Sequence, residues 1–212
     1  MKIIDSNKYD IIYTEKAVLI DVFRATTSIV VILSNGAEKI IPFPNEESAR
    51  EFYKKNRDMI LVGERNGYKI PDFHFGNTPY LLSKHDFHGK SVIFVSTNGT
   101  RVLNKIKSNH IYFASFLNAS SILKVLDEKT DFICANRLNL LSIEDFMLAA
   151  YLKAKKLNIK IDYNRIKDII LKSKSADRVR SLNAEEDIYF SLNLDLYDII
   201  PYYVNGEIKA LK

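Results

Sequence analysis

Glutamine is missing from the 212 residues altogether, and cysteine occurs once, at Cys134. A single thiol excludes a disulfide framework and fits a reducing compartment. No apolar run is long enough to span a bilayer, and no apolar signal-like stretch opens the chain. A cytoplasmic protein without a membrane partner is therefore expected. Glycine is scarce, and neither G-x-G-x-x-G nor G-x-x-x-x-G-K-[ST] occurs, so dinucleotide and P-loop readings fail. A G-x-S-x-G nucleophile elbow is missing too, and the four histidines show no metal-ligand spacing. The net charge of +5 comes from lysines spread along the chain. With no basic stripe interleaved with aromatics, nucleic-acid binding is not expected. Lysine, glutamate and isoleucine are abundant but so is asparagine, a balance that biased base composition explains without any appeal to temperature.

What is present is ordinary for a soluble globular protein, and the length allows one domain with a substantial core. The chain is organised around residues 17–35. The apolar run Ala17-Val18-Leu19-Ile20 stops at Asp21; Arg24, Thr26, Thr27 and Ser28 follow, and then a second apolar stretch closed by Asn35-Gly36. A short continuous apolar run predicts a strand buried on both faces. The second stretch, with Thr27 or Ser28 as N-cap, predicts a helix. Asp21 and Arg24 then stand at the carboxyl end of a strand, where open α/β sheets bind ligands and a helix start offers N–H groups to an anion.

The pattern recurs. Strands are expected at 39–43, 59–62, 91–95, 111–114 and 131–135, after a short polar edge element over 1–16. Between them, Asn45 should cap a helix over 46–53, Asn77-Thr78-Pro79 should start another, and Asn118 should cap one over 119–126. Ser142 and Asp145 have the spacing of a capping box ahead of a helix over 146–156. The irregular stretch 68–79 is a candidate functional loop. Beyond it, 161–174 reads as a basic helix, 175–180 as a charged polar turn, 184–194 as a helix, and the end as a hairpin around Asn205-Gly206. The expectation is one α/β domain, three-layered, with a mostly parallel or mixed sheet between helices. Residues 160–212 form an added helical and hairpin lobe on it.

Five strand ends carry polar pairs: Asp21/Arg24, Glu64/Arg65, Asn98/Thr100, Ser115/Asn118 and Asn136/Arg137. On one edge of a parallel sheet they would converge. Carboxylate, amide and hydroxyl oxygens are hard ligands that suit Mg²⁺ better than zinc. Arginines and helix starts suit phosphate, sulfonate or carboxylate. These parts can build a Mg²⁺-assisted phosphoryl-transfer site. Phe23 stands where the haloacid-dehalogenase class would place a second aspartate, so that family is set aside, though aspartyl-phosphate chemistry in general is not.

Several ungapped segments occur in an order that resembles the 2-phosphosulfolactate phosphatases. They are Asp21-Val22-Phe23-Arg24-Ala25-Thr26-Thr27-Ser28, Gly63-Glu64-Arg65, Phe75-Gly76-Asn77-Thr78-Pro79 and Thr97-Asn98-Gly99-Thr100-Arg101. Ser115-Phe116-Leu117-Asn118-Ala119-Ser120 and Ser142-Ile143-Glu144-Asp145 follow, with weaker likeness through Glu186-Asp187-Ile188. The resemblance implies a Mg²⁺-dependent phosphatase that converts (2R)-2-phospho-3-sulfolactate to 3-sulfolactate and phosphate, on the route to coenzyme M. It implies Asp21 as metal ligand or nucleophile, Glu64 as a further metal ligand, and Glu144 and Asp145 in acid–base or metal roles. Arg24 and Arg65 would hold anionic oxygens, and Asn77, Asn98, Thr100, Ser115 and Asn118 would orient the substrate. The partner is then a small anionic organophosphate, and a homodimer is left open. The family usually has glycine where Asn66, Asn136, Asn139 and Ala150 stand, and aspartate where His74 stands, which bears on substrate more than on fold. The rival readings are a phosphatase for another small organic phosphate and a diverged anion-binding protein without turnover.

Overall fold

The computed structural model describes residues 1–137 and 140–211; Asn139 lies outside them. In chain order its strands are β1 (Ile3–Asp5), β2 (Ile12–Tyr13), β3 (Lys16–Ile20), β4 (Lys39–Phe43), β5 (Ile60–Arg65) and β6 (Tyr68–Lys69). They continue with β7 (Ser91–Val95), β8 (Ile106–Lys107), β9 (His110–Ala114), β10 (Thr130–Cys134), β11 (Pro201–Val204) and β12 (Glu207–Ala210). The helices are α1 (Ala25–Ser34), α2 (Glu46–Lys55), α3 (Pro79–Leu82), α4 (Gly99–Leu103), α5 (Ala119–Leu123) and α6 (Ile143–Lys156). The C-terminal segment adds α7 (Tyr163–Leu171), α8 (Lys174–Arg180) and α9 (Glu185–Ser191). Among the described residues no helix is long and apolar enough to cross a membrane.

Strand β3 shows why the sheet has helices on both sides. Its side chains alternate: Ala17 and Leu19 pack with Ile29, Val30 and Ile32 of α1, whereas Val18 and Ile20 pack with Leu148 and Leu152 of α6 and Ile170 of α7. Period-2 alternation with both faces apolar is what a doubly covered strand requires. Each fully buried aliphatic side chain contributes about 1.5–3 kcal/mol relative to exposure. The core around α1 also takes Ile40, Val62, Val92 and Phe94 from β4, β5 and β7, so one face of the whole sheet closes over that helix.

The sheet order is β1-β10-β3-β9-β11-β12-β4-β7-β5-β6. Neighbours pair in parallel from β1 to β9 and again from β4 to β5. Between these halves lies the C-terminal hairpin, antiparallel to both. The hairpin anticipated in a lobe on the sheet is therefore built into its middle. Three consecutive antiparallel pairings also mean that the two halves run in opposite directions, which corrects the expectation of a single edge of carboxyl ends. The ends of β3 and β7, five strand steps apart, nonetheless meet. A Cβ on Gly99, just past β7, would lie 2.8 Å from the Ala25 Cβ and 3.2 Å from Oδ2 of Asp21, just past β3.

Local expectations fared unevenly. Asn45 caps α2 through Ser48 N–H as its sequence predicts. Thr27 and Ser28 instead lie inside α1, whose N-cap is Arg24. The stretch 175–180 is helix rather than polar turn, because Ser173 caps it through the Ala176 amide and Ala176 and Val179 are buried. Ser142 makes no side-chain cap bond; the Asp145 carboxylate is drawn elsewhere.

Candidate active site

Strand β3 delivers Asp21 to the floor of a cleft of about 470 Å³, which is within the range of small-ligand sites. The turn after the strand is fixed at both ends of the peptide: Asp21 N–H donates to Oγ1 of Thr26 at 3.0 Å, and Thr26 N–H donates to Asp21 C=O at 2.9 Å. The Asp21 carboxylate is buried and its pKa is raised to about 6. Burial is the main cause, with the Glu64 charge adding to it; the Ala25 N–H and the Arg24 charge pull the other way.

Alternation along β5 turns Glu64 into the protein and Arg65 out to solvent. Glu64 is held by backbone: Thr97 N–H donates to Oε1, while Gly67 N–H and the Thr97 hydroxyl donate to Oε2 at 2.6 and 3.0 Å. Oε1, with one donor, keeps a lone pair for a cation or a substrate proton.

Glu144 comes from the first turn of α6. Its Oε2 is buried without a hydrogen-bond partner among the described residues. Burial is the principal reason that its pKa is raised to about 7; the Ser175 and Ser142 hydroxyls counter this, and the Asp21 charge reinforces it. Asp145, its neighbour, faces away from the cleft. It accepts from Val22 N–H at 2.8 Å and Asn136 N–H at 3.1 Å and so ties the ends of β3 and β10 together. Burial pushes its pKa well up, with the Glu144 and Asp21 charges adding.

Arg24 lies at the cleft with both terminal nitrogens engaged: Nη1 on Asp187 Oδ2 at 2.9 Å and Nη2 on Gly67 C=O at 2.7 Å. Asn77 is buried in the wall with Oδ1 unpartnered among the described residues. Asn98 also lines the cleft, and its side chain makes no cap bond to α4.

The cleft thus brings together Asp21, Arg24, Glu64, Glu144, Asn77 and Asn98. The other candidates stand apart. Arg65 is exposed. Thr100 donates its hydroxyl to Ser96 C=O and its amide to Ser96 Oγ, securing the turn into α4. Ser115 and Asn118 form a buried reciprocal cap, with Asn118 Oδ1 on Ser115 N–H rather than on the helix it precedes. Cys134 is a buried thiol pushed up by burial. His74 is a surface residue whose Nδ1 accepts from Leu61 N–H, outside the cleft.

Asn66 and Asn136 explain how asparagine replaces glycine here. Both have left-handed backbones, φ 54° and 52°, which asparagine adopts more readily than other side chains. Asn66-Gly67 makes the two-residue turn between β5 and β6, where paired positive φ values are the norm. The residues that sequence reasoning missed are Lys174, Ser175 and Arg178 of α8, all lining the cleft, and only the clustering of basic residues hinted at them. Asn136 and Arg137, one of the flagged strand-end pairs, line it as well.

Among the described residues, no group of three or more His, Cys, Asp or Glu side chains is arranged to hold a metal ion. The oxygens available to a cation are those of Asp21, Glu64 and Glu144, beside the Asn77 amide. The buried carboxylates of Asp21, Glu64 and Glu144 share this cleft with Arg137, Lys174 and Arg178, at the strand ends where α/β sheets place ligand sites. The family model for 2-phosphosulpholactate phosphatase matches residues 3–206. Three curated relatives bear the name "Probable 2-phosphosulfolactate phosphatase". That of Thermotoga maritima is 40% identical over 205 residues, covering 90% of this chain and 89% of the relative. That of Thermoplasma volcanium is 38% identical, covering 90% of each. The Thermoplasma acidophilum relative is 35% identical over 98% of this chain and 94% of its own length. The chain belongs to the 2-phosphosulfolactate phosphatase family.

Proposed function

We propose that this protein is a cytoplasmic phosphatase that hydrolyses (2R)-2-phospho-3-sulfolactate to 3-sulfolactate and phosphate with the aid of Mg²⁺. The observation that carries the reading is the buried pair Asp21 and Glu144, raised to about 6 and about 7 at the floor of one cleft. Two coupled carboxylates with displaced pKa values are the usual way to keep one acid charged and one protonated near neutrality.

The donor set fits the ion. Mg²⁺ takes hard oxygens, keeps several waters and binds through one or two carboxylates plus substrate phosphate, so it needs no preformed protein cage. Asp21 and Glu64 would hold it; bound there, it would draw charge from the phosphoryl oxygens as P–O cleavage proceeds. The chain's own groups do the rest. Glu144, protonated in a large fraction of molecules near neutral pH, gives its proton to the ester oxygen as the P–O bond breaks, and the alcohol leaves neutral. Water attacks phosphorus; overall it supplies one proton to the alcohol, through reprotonation of Glu144, and one to the phosphate. Asn77 and Asn98 line the cleft, where their amide N–H groups can donate to phosphoryl oxygens, and Arg24 is held at the cleft by Asp187 and Gly67.

The test is phosphate release from 2-phospho-3-sulfolactate in Mg²⁺ and in excess chelator, for wild type and Asp21→Asn. Release that needs Mg²⁺ and falls by at least about 10³-fold in the variant is expected. A folded, metal-supplied wild type that releases no phosphate overturns the reading.

A further inference from the structure

The lining of the cleft also carries basic side chains. Arg178 and Lys174 reach it from α8, and Arg137 from the segment after β10. None of the three makes a salt bridge among the described residues, whereas Arg24, Arg50 and Arg180 each have a carboxylate partner. Arg178 is the best placed. It is half-buried, and Nη2 donates to Asn66 C=O at 3.0 Å, so a carbonyl of the β5–β6 turn aims the guanidinium. Nη1 makes only a long 3.4 Å contact with the Ser181 hydroxyl. With five N–H donors in a rigid fork, Arg178 retains donors for a planar or tetrahedral anion, without an internal carboxylate to displace.

We infer that Arg178, flanked by Lys174 and Arg137, is a second anion subsite that reads the sulfonate of the substrate while the phosphate sits over Asp21. The assignment rests on the function proposed above for its choice of anion. Two independent observations support a ligand in this cleft: Oε2 of Glu144 and Oδ1 of Asn77 are buried there without partners among the described residues. Charge supports the assignment. The buried carboxylates repel a bare anion unless a cation or proton intervenes, whereas Arg178, Lys174 and Arg137 attract one. The substrate carries its phosphate and sulfonate on adjacent carbons, so a phosphate over Asp21 leaves the sulfonate for a cation elsewhere on the cleft lining. Arg178 is therefore a specificity-determining residue, and the C-terminal segment supplies discrimination rather than chemistry.

Comparison of 2-phospho-3-sulfolactate with 2-phospholactate, which lacks the sulfonate, tests this. Wild type should favour the sulfonated ester, and Arg178→Ala should lose about 10- to 100-fold in kcat/KM on it, most of it through KM. Turnover of 2-phospholactate should change less than about threefold. Arg178→Lys, which keeps charge without the fork, should recover part of the loss, and Lys174→Ala should lose less than Arg178→Ala. Titration calorimetry with 3-sulfolactate and with lactate supplies a readout without turnover: only sulfolactate binding should weaken in Arg178→Ala. Equal preference between the esters in wild type and Arg178→Ala, or sulfolactate binding that ignores the substitution, overturns the subsite. If neither ester is hydrolysed, the function proposed above fails, and the calorimetry alone decides the subsite.

Discussion

The Asp187 carboxylate accepts from Nη1 of Arg24 at 2.9 Å, with the two side chains 3% and 5% exposed. Its other oxygen accepts from Tyr80 N–H at 3.0 Å. One residue of α9 thereby joins the turn after β3 to the start of α3. Burial raises the Asp187 pKa and the Arg24 charge works against the rise, so the pair is held by geometry more than by a large net gain. Removing one partner is another matter. Asp187→Ala leaves a guanidinium buried with one carbonyl partner, and an orphaned amide at Tyr80. Urea unfolding should show a loss of about 3–5 kcal/mol, with Asp187→Asn losing less because it still accepts from one donor. Destabilisation under about 1 kcal/mol in both variants would mean that the pair is dispensable.

The acidic floor gives the metal-free protein an unusual response to pH. Glu144 titrates at about 7 in the fold against 4.5 in the open chain, and Asp21 at about 6 against 3.8. Between these values the folded state binds more protons than the unfolded state, so stability must fall as pH rises from about 4 to 7. The surface carboxylates Asp127, Asp198 and Glu207 are shifted down by lysine partners and act in the opposite sense, but their contribution is lost only as pH falls below the ordinary carboxylate range. A thermal midpoint measured in chelator should peak near pH 4–5 and decline towards pH 8. Glu144→Gln should flatten the decline, and Mg²⁺ at pH 7–8 should raise the wild-type midpoint more than that of Asp21→Asn. A midpoint that climbs steadily from pH 4 to 7 would remove the buried acids as its source.

The cleft positions of Asp21, Arg24, Glu64 and Asn98 were legible because each follows an apolar strand, whereas Asn77 and Glu144 were reached only through the family resemblance. The failures have local physical causes. Arg65 is adjacent to Glu64 in sequence, but a strand sends neighbours to opposite faces. Ser115 and Asn118 have the composition of a ligand turn, but Ser115 Oγ accepts from Leu117 N–H, Asn118 Oδ1 accepts from Ser115 N–H, and the Asn118 amide nitrogen donates to the Phe113 and Ile199 carbonyls. Asp145 carries the same charge as Glu144, yet two amides at the ends of β3 and β10 claim it. Sheet order was beyond reach. A hairpin around Asn205-Gly206 can be read from the sequence, but its insertion between β9 and β4 depends on long-range pairing that no local pattern records.

Gly99 stands where the ends of β3 and β7 meet. It follows β7 without a positive φ, so its need for glycine is spatial rather than conformational. A methyl group there would stand 2.8 Å from the Ala25 Cβ, 3.1 Å from the Ser96 hydroxyl and 3.2 Å from Oδ2 of Asp21. Ala25 opens α1 and is 1% exposed, so it has no room to retreat. Either α4 moves away from β3, or the Asp21 carboxylate shifts within the floor. Gly99→Ala should cost about 1–3 kcal/mol by overpacking, and displacement of the reacting geometry by a fraction of an ångström should lower kcat by about 10- to 100-fold. The double variant Gly99→Ala/Ala25→Gly removes the closest contact and should regain much of both losses. Steady-state kinetics and urea melts on the single and double variants make the comparison. Full stability and activity in Gly99→Ala would show that the two halves of the sheet do not meet at Asp21 as closely as this structure has them.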